Sequence, residues 1–313
     1  MNDTVLLFPG QGAQKVGMGR DVVEEYSAAA KAFDTASEAS GLDLRHVCFQ
    51  GPAEELERTD LCQPAILTVS IALMWAIEQE AGERVKAPAA AGLSLGEYSA
   101  LVAARAIQFA DAVRLVCRRA RFMQEACEAN PGAMYSIIGL EDGKVEEACD
   151  QVRHAGGQVW PANYNNPGQL VISGEKEAAA RAAGQCKEMG ARKAIELKVA
   201  GAFHCPLMQA AADRLAAELA QVEFREPAFP VVANATAGPA TTLPATRELL
   251  ARQMTSPVRW SQSMDWCVRQ GHRQYVEVGP GRALKGMLKR IDRDSRCESV
   301  AGAAEVKAVA GKQ

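Results

Sequence analysis

The feature that most constrains this chain is the pentapeptide Gly92-Leu93-Ser94-Leu95-Gly96, which has the pattern Gly-x-Ser-x-Gly. In that pattern a serine sits on a sharp turn between a strand and a helix, so its hydroxyl is exposed. The two glycines let backbone segments cross closely because they have no Cβ. A predicted helix follows from Glu97, so its N-terminus would face the serine and favour a developing oxyanion. A serine in an ordinary tight turn is the alternative.

The periodicity of apolar residues predicts an α/β protein. A short apolar strand at residues 5–8 ends in the loop Pro9-Gly10-Gln11-Gly12, where bare backbone can approach a ligand. Helical patterns cover residues 20–39, 64–80 and 109–128, and short apolar runs alternate with the helices. That alternation is typical of a parallel sheet covered by helices.

Residues 130–199 follow a different pattern and predict a smaller unit. The predicted order is β-α-β-β-α-β, with strands at 133–139, 159–163, 170–173 and 194–197 and helices at 142–153 and 175–189. This order is that of a split βαβ, ferredoxin-like fold. We therefore expect a large α/β-hydrolase-like domain with a parallel sheet, formed by 1–129 and 200–313, and an inserted ferredoxin-like small domain at 130–199. The Ala/Gly/Lys-rich tail from Ser299 is expected to fray.

Composition excludes several classes of function. The 313 residues are 48% hydrophobic and 23% charged, with a net charge of −3, so no bulk basicity indicates a nucleic-acid partner. The nine cysteines contain no Cys-x-x-Cys pair, which favours reduced thiols over disulfides or a metal site. The longest apolar stretch, 65–77, is too short to span a bilayer, and the N-terminus has no signal-peptide pattern. We expect a cytoplasmic protein without a membrane partner.

A serine nucleophile needs a base, and the chain has four histidines. His46 fits a surface helix, His154 ends a predicted helix, and His272 lies in a turn before a strand. His204 lies in an apolar segment where the chain returns to the large domain. By elimination His204 is the best base for Ser94, although a histidine among apolar residues is often a satisfied core residue.

Arg119 breaks the pattern of its predicted helix. Apolar residues at four- and three-residue steps define a buried stripe, and Arg114, Arg118 and Arg121 form a separate row that should be solvated. Arg119 lies four residues after Leu115, on the apolar flank. A buried guanidinium needs a partner, because an unpaired buried charge is costly. The partner is either an internal carboxylate or the carboxylate of a substrate, which arginine can hold with two hydrogen bonds.

Several further motifs, taken in order, resemble those of the malonyl-CoA:acyl-carrier-protein transacylases and of the related acyltransferase domains of polyketide synthases. The resemblance runs from residue 5 to about 293. The motifs that carry it are Phe8-Pro9-Gly10-Gln11-Gly12-Ala13-Gln14, Gly51-Pro52-Ala53-Glu54-Glu55-Leu56, Gln63-Pro64-Ala65, the segment 92–101, the segment 119–126, Asn163-Tyr164-Asn165-Asn166-Pro167-Gly168-Gln169 and Glu277-Val278-Gly279-Pro280-Gly281.

The resemblance implies a two-step malonyl transfer in fatty-acid synthesis. The substrate would be the coenzyme A thioester malonyl-CoA and the partner an acyl carrier protein, with no cofactor and no metal. Ser94 would take the malonyl group and His204 would act as the base. The backbone carbonyl of Gln253 would orient that histidine in place of an aspartate. We also expect a monomer.

The resemblance also assigns residues around the acyl group. The backbone N–H groups of Gln11 and Leu95 would form the oxyanion hole, and Arg119 would hold the malonyl carboxylate. Phe203, in Gly201-Ala202-Phe203-His204, resembles the form that accompanies malonyl rather than methylmalonyl selectivity, since a bulky residue leaves little room for an α-methyl group. Asn163 and Asn165 match a motif near the cleft, with a turn-forming role as the alternative.

One residue departs from the family pattern. Leu93 stands where the family usually has a histidine before the nucleophile. The proposed base is unaffected, because that role belongs to His204. The polarity of the acyl pocket beside Ser94, and with it the acyl preference, is what this change affects.

Four alternatives stay open. A thioesterase of the α/β-hydrolase class needs the chain order serine, acid, histidine, which His272 could satisfy. A stand-alone polyketide transferase or a malonate-decarboxylase transferase would use the same chemistry with another carrier. A catalytically dead carrier-binding scaffold is the fourth. An acidic carrier would need a local basic surface, and the candidates are Arg192, Lys193, Arg282, Lys285 and Lys289, with ordinary solvated charges as the alternative.

Overall fold

The computed structural model describes residues 2–311. The strands of this part of the chain are β1 (Thr4–Phe8), β2 (Ala90–Gly92), β3 (Gly132–Ile138), β4 (Val159–Asn166), β5 (Gln169–Glu175), β6 (Lys193–Glu196), β7 (Val231–Ala233), β8 (Gly238–Pro239), β9 (Gln274–Val278) and β10 (Arg296–Val300). The helices are α1 (Arg20–Glu25), α2 (Ser27–Ser40), α3 (Leu44–Phe49), α4 (Ala53–Leu56), α5 (Thr59–Ala81), α6 (Gly96–Ala103), α7 (Phe109–Ala129), α8 (Asp142–His154), α9 (Lys176–Glu188), α10 (Gln209–Gln221), α11 (Leu243–Arg252), α12 (Trp260–Arg269), α13 (Ala283–Ile291) and α14 (Ala303–Ala310). A 3₁₀ turn spans Pro206–Met208.

The larger sheet has six strands in the order β10-β9-β1-β2-β7-β8. All its neighbours pair in parallel except β8, which runs antiparallel to β7. The predicted α/β architecture with a parallel sheet is therefore confirmed. Phe8 pairs with Gly92 at the carboxyl ends of β1 and β2. In open parallel sheets this edge is where ligands bind.

Helix α5 forms the centre of the core. It is 23 residues long and apolar enough to cross a membrane by length and composition, but 89% of its most apolar window is buried inside the protein. That burial is typical of a core helix. The expectation that this segment is too short to span a bilayer is wrong on length, because the helix begins at Thr59, before Pro64. A proline in the second turn removes only one hydrogen bond near the helix start.

Two other predictions need correction. The helix predicted over 20–39 is interrupted at Tyr26, whose backbone is extended. The tail from Ser299 does not fray over the described residues, because Val306 and Val309 of α14 are buried against the core. The Ala303 N–H at the start of α14 also donates to Asp21 Oδ2 over 2.8 Å. Lys312 and Gln313, the last residues of the predicted tail, lie outside the described residues.

The smaller sheet contains β3 to β6, with α8 and α9 in the predicted β-α-β-β-α-β order. Its strands are antiparallel and arranged β4-β5-β3-β6. Successive residues of a strand point to opposite faces. Ala133 and Ile137 accordingly join the separate core under α8 and α9, whereas Met134 joins the core of the larger unit. The face that carries Met134 is thus turned toward the carboxyl edge of the larger sheet.

Candidate active site

Ser94 lies in the turn between β2 and α6, as the pentapeptide predicts. Its φ of 51° is in the left-handed region, which is unusual for a residue other than glycine. A Cβ on Gly92 would lie 1.9 Å from the carbonyl carbon of Gly96, and one on Gly96 would lie 2.1 Å from the Phe8 oxygen. Only glycine therefore allows these backbone segments to cross, and the crossing exposes the serine hydroxyl at the sheet edge.

The structure brings Ser94 and His204 together. Ser94 Oγ is 2.8 Å from His204 Nε2, and His204 Nδ1 is 2.9 Å from the backbone oxygen of Gln253. A carbonyl oxygen only accepts, so Nδ1 carries the imidazole proton and Nε2 is left to accept from the serine hydroxyl. This is the arrangement of a nucleophile, a base and a group that orients the base.

His204 is poised in its neutral form. Burial lowers its pKa to about 4, and the charge of Arg119 acts in the same direction, while the Gln253 carbonyl opposes the shift. At neutral pH the imidazole is therefore uncharged and able to accept the serine proton. Its backbone, with a φ of 57°, is also in the left-handed region.

Arg119 is buried beside the serine, with an exposed fraction of 1%. Its Nη2 donates to Ser94 Oγ over 3.0 Å and to Gln253 Oε1 over 2.9 Å, and its Nη1 donates to Gln63 Oε1. Its Nε has no hydrogen-bond partner among the residues that the structure describes. Its side chain also lies over the Tyr98 ring, 5.5 Å from the centroid.

The hydrogen-bond partners of Arg119 are neutral. Within residues 2–311 no carboxylate forms an ion pair with it, so the internal salt bridge considered above is absent from the part of the chain that is described. Burial lowers the pKa of this guanidinium, and Tyr98 and Glu97 partly offset that effect. By contrast, Arg114, Arg118 and Arg121 of the same helix are exposed as predicted, and each pairs with a surface carboxylate.

A cavity of about 210 Å³ opens at this point. Ser94, Arg119 and His204 are polar lining residues of this cavity, and we call these three residues the polar floor. Four apolar side chains from and after the strands of the smaller sheet also line the cavity, and we call them the apolar wall: Met134, Val171, Leu197 and Val199. The predicted residues Gln11, Leu93, Leu95, Phe203, Asn163 and Asn165 also line the cavity, whereas Gln253 lies behind the floor.

Gln11 and Leu95 approach the serine from two backbone segments. Gln11 follows β1 and Leu95 directly precedes α6. Within residues 2–311 neither backbone N–H donates a hydrogen bond. Two free N–H groups next to a nucleophile are the usual donors to an oxyanion.

Asn163 and Asn165 lie in β4 rather than in a turn, so the turn-forming alternative is wrong. The β4–β5 turn falls at residues 167–168, and Asn163 instead forms a bridge with Val258. Asn165 is 7% exposed, and its Oδ1 has no hydrogen-bond partner among the described residues.

Sequence reasoning missed the residues that hold the turn. Asn234 Oδ1 accepts from the Ser94 N–H over 2.6 Å, and Glu97 is buried behind it. Burial raises the pKa of Glu97 to about 7, against the opposing effect of its hydrogen bonds and of Arg119. A carboxylate at the start of an apolar helix was the available signal for Glu97. For Asn234 the signal is its position directly after β7. That position indicates a role at the serine turn only when the pairing of β7 with β2 is known.

The remaining histidines do not contribute to the site. His46 and His154 are exposed on helices, as predicted. His272 precedes β9, so it lies at the amino edge of the parallel strands, opposite to Ser94. The α/β-hydrolase alternative with His272 as base is therefore wrong, because strand direction separates the two side chains.

A serine–histidine pair at the carboxyl edge of a parallel sheet, with free N–H donors beside it, defines an enzyme of the acyl-transferring class. Comparison with known proteins agrees. The profile of the family described as "Acyl transferase domain" matches residues 5–311. The chain belongs to this acyltransferase family.

Similar proteins extend over almost the whole chain. The malonyl CoA-acyl carrier protein transacylase of Escherichia coli K12 is 48% identical over 292 residues, which cover 93% of each chain. An acyl carrier protein S-malonyltransferase from Vibrio cholerae has a solved structure with a TM-score of 0.94 and 42% identity, covering 98% of this chain and 100% of that one. A malonyl-transacylase solved with its type II polyketide acyl-carrier protein has a TM-score of 0.95 and 42% identity, with all of both chains covered.

Proposed function

We propose that this protein transfers a malonyl group from malonyl-CoA to the phosphopantetheine thiol of an acyl carrier protein, in fatty-acid synthesis. One observation carries the proposal: the buried guanidinium of Arg119 lies 3.0 Å from Ser94 Oγ and forms no ion pair with a carboxylate among residues 2–311. A dicarboxylate acyl group on Ser94 would supply the missing anion. The names of the similar proteins support the same substrate and acceptor.

The first half of the reaction would load the serine. The Ser94 hydroxyl proton passes to His204 Nε2 while Oγ attacks the thioester carbonyl carbon. The N–H groups of Gln11 and Leu95 hold the resulting oxyanion, and the Gln253 carbonyl stabilises the imidazolium through Nδ1. The carbon–sulfur bond then breaks, and the leaving coenzyme A sulfur takes the proton from His204. Malonyl-Ser94 and free coenzyme A are the products.

The second half would reverse these roles with another thiol. The carrier's phosphopantetheine thiol gives its proton to His204 Nε2, and its sulfur attacks the malonyl ester carbonyl. The same N–H donors hold the oxyanion. When the ester bond breaks, His204 returns the proton to Ser94 Oγ, so the enzyme is regenerated. Water is the competing acceptor, and the apolar wall would limit its access.

The carrier would dock on the basic surface beside the cavity. Met287 of α13 lines the cavity, so this helix borders its mouth. Lys285 and Lys289 of α13 are exposed, and Lys289 shares a shallow surface cavity with Arg290 and Arg293, which the sequence analysis did not select. The other candidates, Arg192, Lys193 and Arg282, are also exposed. Of these, Arg282 forms an ion pair with Glu305.

The domain division belongs to the same proposal. We assign 1–129 and 200–313 to a large α/β-hydrolase-like domain and 130–199 to a ferredoxin-like small domain. The separate core under α8 and α9 supports this division. We further propose a cytoplasmic monomer that needs no cofactor or metal and has neither a nucleic-acid nor a membrane partner.

A transfer assay tests the function. Purified protein is mixed with malonyl-CoA and a phosphopantetheinylated acyl carrier protein, and malonyl-carrier and free malonate are measured together. The proposal expects malonyl-carrier to form much faster than malonate. Malonate as the main product would indicate a thioesterase, and no product at all would indicate a carrier-binding scaffold.

The same assay tests the second candidate, a stand-alone polyketide transferase, which the match to the complex with a polyketide carrier favours. Carriers of fatty-acid and polyketide type are compared at equal concentration. A preference for the polyketide carrier would assign the protein to polyketide synthesis, and the proposed chemistry of transfer would stay the same. A malonate-decarboxylase carrier completes the comparison.

A further inference from the structure

Glu97 is a buried carboxylate that the proposed transfer does not use. It lies in the first turn of α6, three residues after Ser94, and is 3% exposed. Its Oε2 accepts two hydrogen bonds, from the Asn234 N–H over 3.0 Å and from Gln253 Nε2 over 2.8 Å. Both donors belong to segments distant in sequence, so one carboxylate oxygen joins three parts of the chain.

The first of these partners fixes the turn on which the serine sits. Asn234 Oδ1 accepts from the Ser94 N–H over 2.6 Å, and Asn234 Nδ2 donates to the Gly92 oxygen over 2.7 Å. The Asn234 side chain therefore spans the backbone on both sides of Leu93. Because Ser94 has a left-handed φ, its turn needs outside support to remain in place.

The second partner fixes the base and the cation. Gln253 Nε2 also donates to the Ser94 backbone oxygen over 3.0 Å, and its Oε1 accepts from Arg119 Nη2 over 2.9 Å. Its backbone oxygen accepts from His204 Nδ1. A shift of Gln253 would therefore move the orientation of His204 and of Arg119 together.

We propose that Glu97 is a positioning residue that, through Asn234 and Gln253, holds the serine turn and the histidine-orienting carbonyl in register with each other. The inference deepens the proposed function and rests on it for the identity of the acyl group. The part of the inference that concerns positions involves only the serine–histidine pair and does not depend on the acyl group. A displacement of about 1 Å at such a pair can cost about 10²-fold in rate.

A second cavity beside Glu97 gives room for the amide group of a glutamine. The charge of Glu97 can therefore be removed without leaving a buried polar group unpaired. Glu97 also lines a cavity of about 360 Å³ together with Leu101, Phe229 and Leu243, and Ser94 is not among the described residues that line it. A glutamine at this position can keep its oxygen on Asn234 and Gln253 and direct its NH₂ into that cavity. Glu97→Gln thus removes the charge and retains the hydrogen bonds, whereas Glu97→Leu removes both.

Glu277 provides the matched control. It is a fully buried carboxylate in β9 that accepts from the Leu284 N–H over 3.1 Å and the Lys285 N–H over 3.0 Å. Among the described residues no hydrogen bond joins it to Ser94 or His204. Glu277→Gln should lower the melting temperature, because one of its oxygens is replaced by a donor that faces an N–H group. It should leave the rate per folded molecule unchanged.

The experiment measures two rates on each folded variant. One is single-turnover acylation at saturating malonyl-CoA. The other is labelling of Ser94 by a fluorophosphonate, an electrophile that requires only the serine–histidine pair. We expect Glu97→Leu to slow both rates about 10- to 100-fold, with KM for malonyl-CoA changed less than about threefold. We expect Glu97→Gln to remain within about threefold of the unaltered protein.

Three results would overturn the inference. One is a folded Glu97→Leu that reacts at the unaltered rate, and another is a Glu97→Gln as slow as Glu97→Leu, which would assign the effect to charge. The third concerns a substitute variant: if Glu97→Leu does not fold, Asn234→Ala is measured in its place. The inference expects Asn234→Ala to slow both rates similarly. A normal rate for Asn234→Ala then contradicts the inference. Fluorophosphonate labelling without any malonyl adduct would refute the proposed function alone.

Discussion

The polar floor and the apolar wall of the cavity are built by different means. The three floor residues are joined to each other and to Gln253 by directional hydrogen bonds of 2.8–3.0 Å. The four wall residues are apolar and contribute only contact surface. Hydrogen bonds fix distances and angles, whereas apolar contacts tolerate changes of shape.

This difference predicts where substitutions cost most. A floor residue acts on the reacting atoms, so its loss should change rates by orders of magnitude. A residue that only shapes the cavity should change which acyl group fits, by the few kcal/mol that one methyl group is worth. A surface residue should affect only the encounter with the carrier.

The largest effect is expected for Ser94→Ala. Removal of the nucleophile should reduce malonyl transfer on the order of 10⁴-fold or more, because the oxyanion donors alone leave little catalysis. The melting temperature should change little, since Ser94 is only partly buried. Steady-state transfer and thermal unfolding check both parts, and a malonyl adduct persisting at the unaltered rate would refute the role of Ser94.

Arg119→Ala comes next and is specific to the acyl group. An unpaired substrate carboxylate in a water-poor site costs about 2–5 kcal/mol. The value of kcat/KM for malonyl-CoA should therefore fall by roughly thirty- to several-thousand-fold, while kcat/KM for acetyl-CoA should fall little. Arg118→Ala is the control, because Arg118 lies on the same helix but is exposed and paired with Glu218. This variant should leave kcat/KM for both substrates unchanged. Equal losses for malonyl- and acetyl-CoA would make Arg119 structural.

The buried state of His204 predicts a pH dependence of stability. The folded pKa of about 4 lies below the ordinary value of 6.5, so the contribution of neutral His204 is fully present above pH 6.5 and is lost as the pH falls through about 4. The loss should reach about 3 kcal/mol relative to His204→Gln. Urea unfolding of both proteins over this range measures it. A constant difference between the two proteins would mean that His204 titrates normally.

A smaller effect is expected for Phe203, which is buried beside the floor and lines the cavity. Phe203→Ala should make room for an α-methyl group and improve methylmalonyl relative to malonyl transfer by about 10- to 200-fold. Competition between the two coenzyme A thioesters measures this ratio. An unchanged ratio would show that another part of the cavity excludes the methyl group.

The smallest effect is expected at the carrier surface. Lys289→Glu should raise KM for an acidic carrier several-fold at low salt and leave KM for malonyl-CoA nearly constant, because exposed charges act mainly on encounter. Lys193→Glu tests the other candidate surface in the same way. If both KM values rise equally, or neither rises, the surface in question does not bind the carrier.

Local signals made the floor predictable from the sequence. The serine turn follows from two glycines, and burial of Arg119 follows from its place on the apolar flank of α7. The supporting contacts were not predictable in this way. Asn234 reaches Ser94 only because β7 pairs with β2 across 140 residues, and no local pattern reports that pairing.

Two other features cannot be predicted from local sequence patterns for the same reason. The composition of the tail predicts fraying, but Ala303 and Lys307 of α14 contact Asp21 and Glu25 of α1. The role of the Gln253 carbonyl came from resemblance alone, because any residue type can present a backbone oxygen. Long-range packing, rather than local propensity, decides both cases.

The most direct test of the central claim is mass spectrometry of the intact protein after brief mixing with equal amounts of malonyl-, methylmalonyl- and acetyl-CoA, followed by peptide mapping. The floor predicts one malonyl group per chain, located on Ser94, with little acetyl adduct, and Phe203 predicts little methylmalonyl adduct. A predominant acetyl adduct, or a malonyl group on any residue other than Ser94, would contradict it.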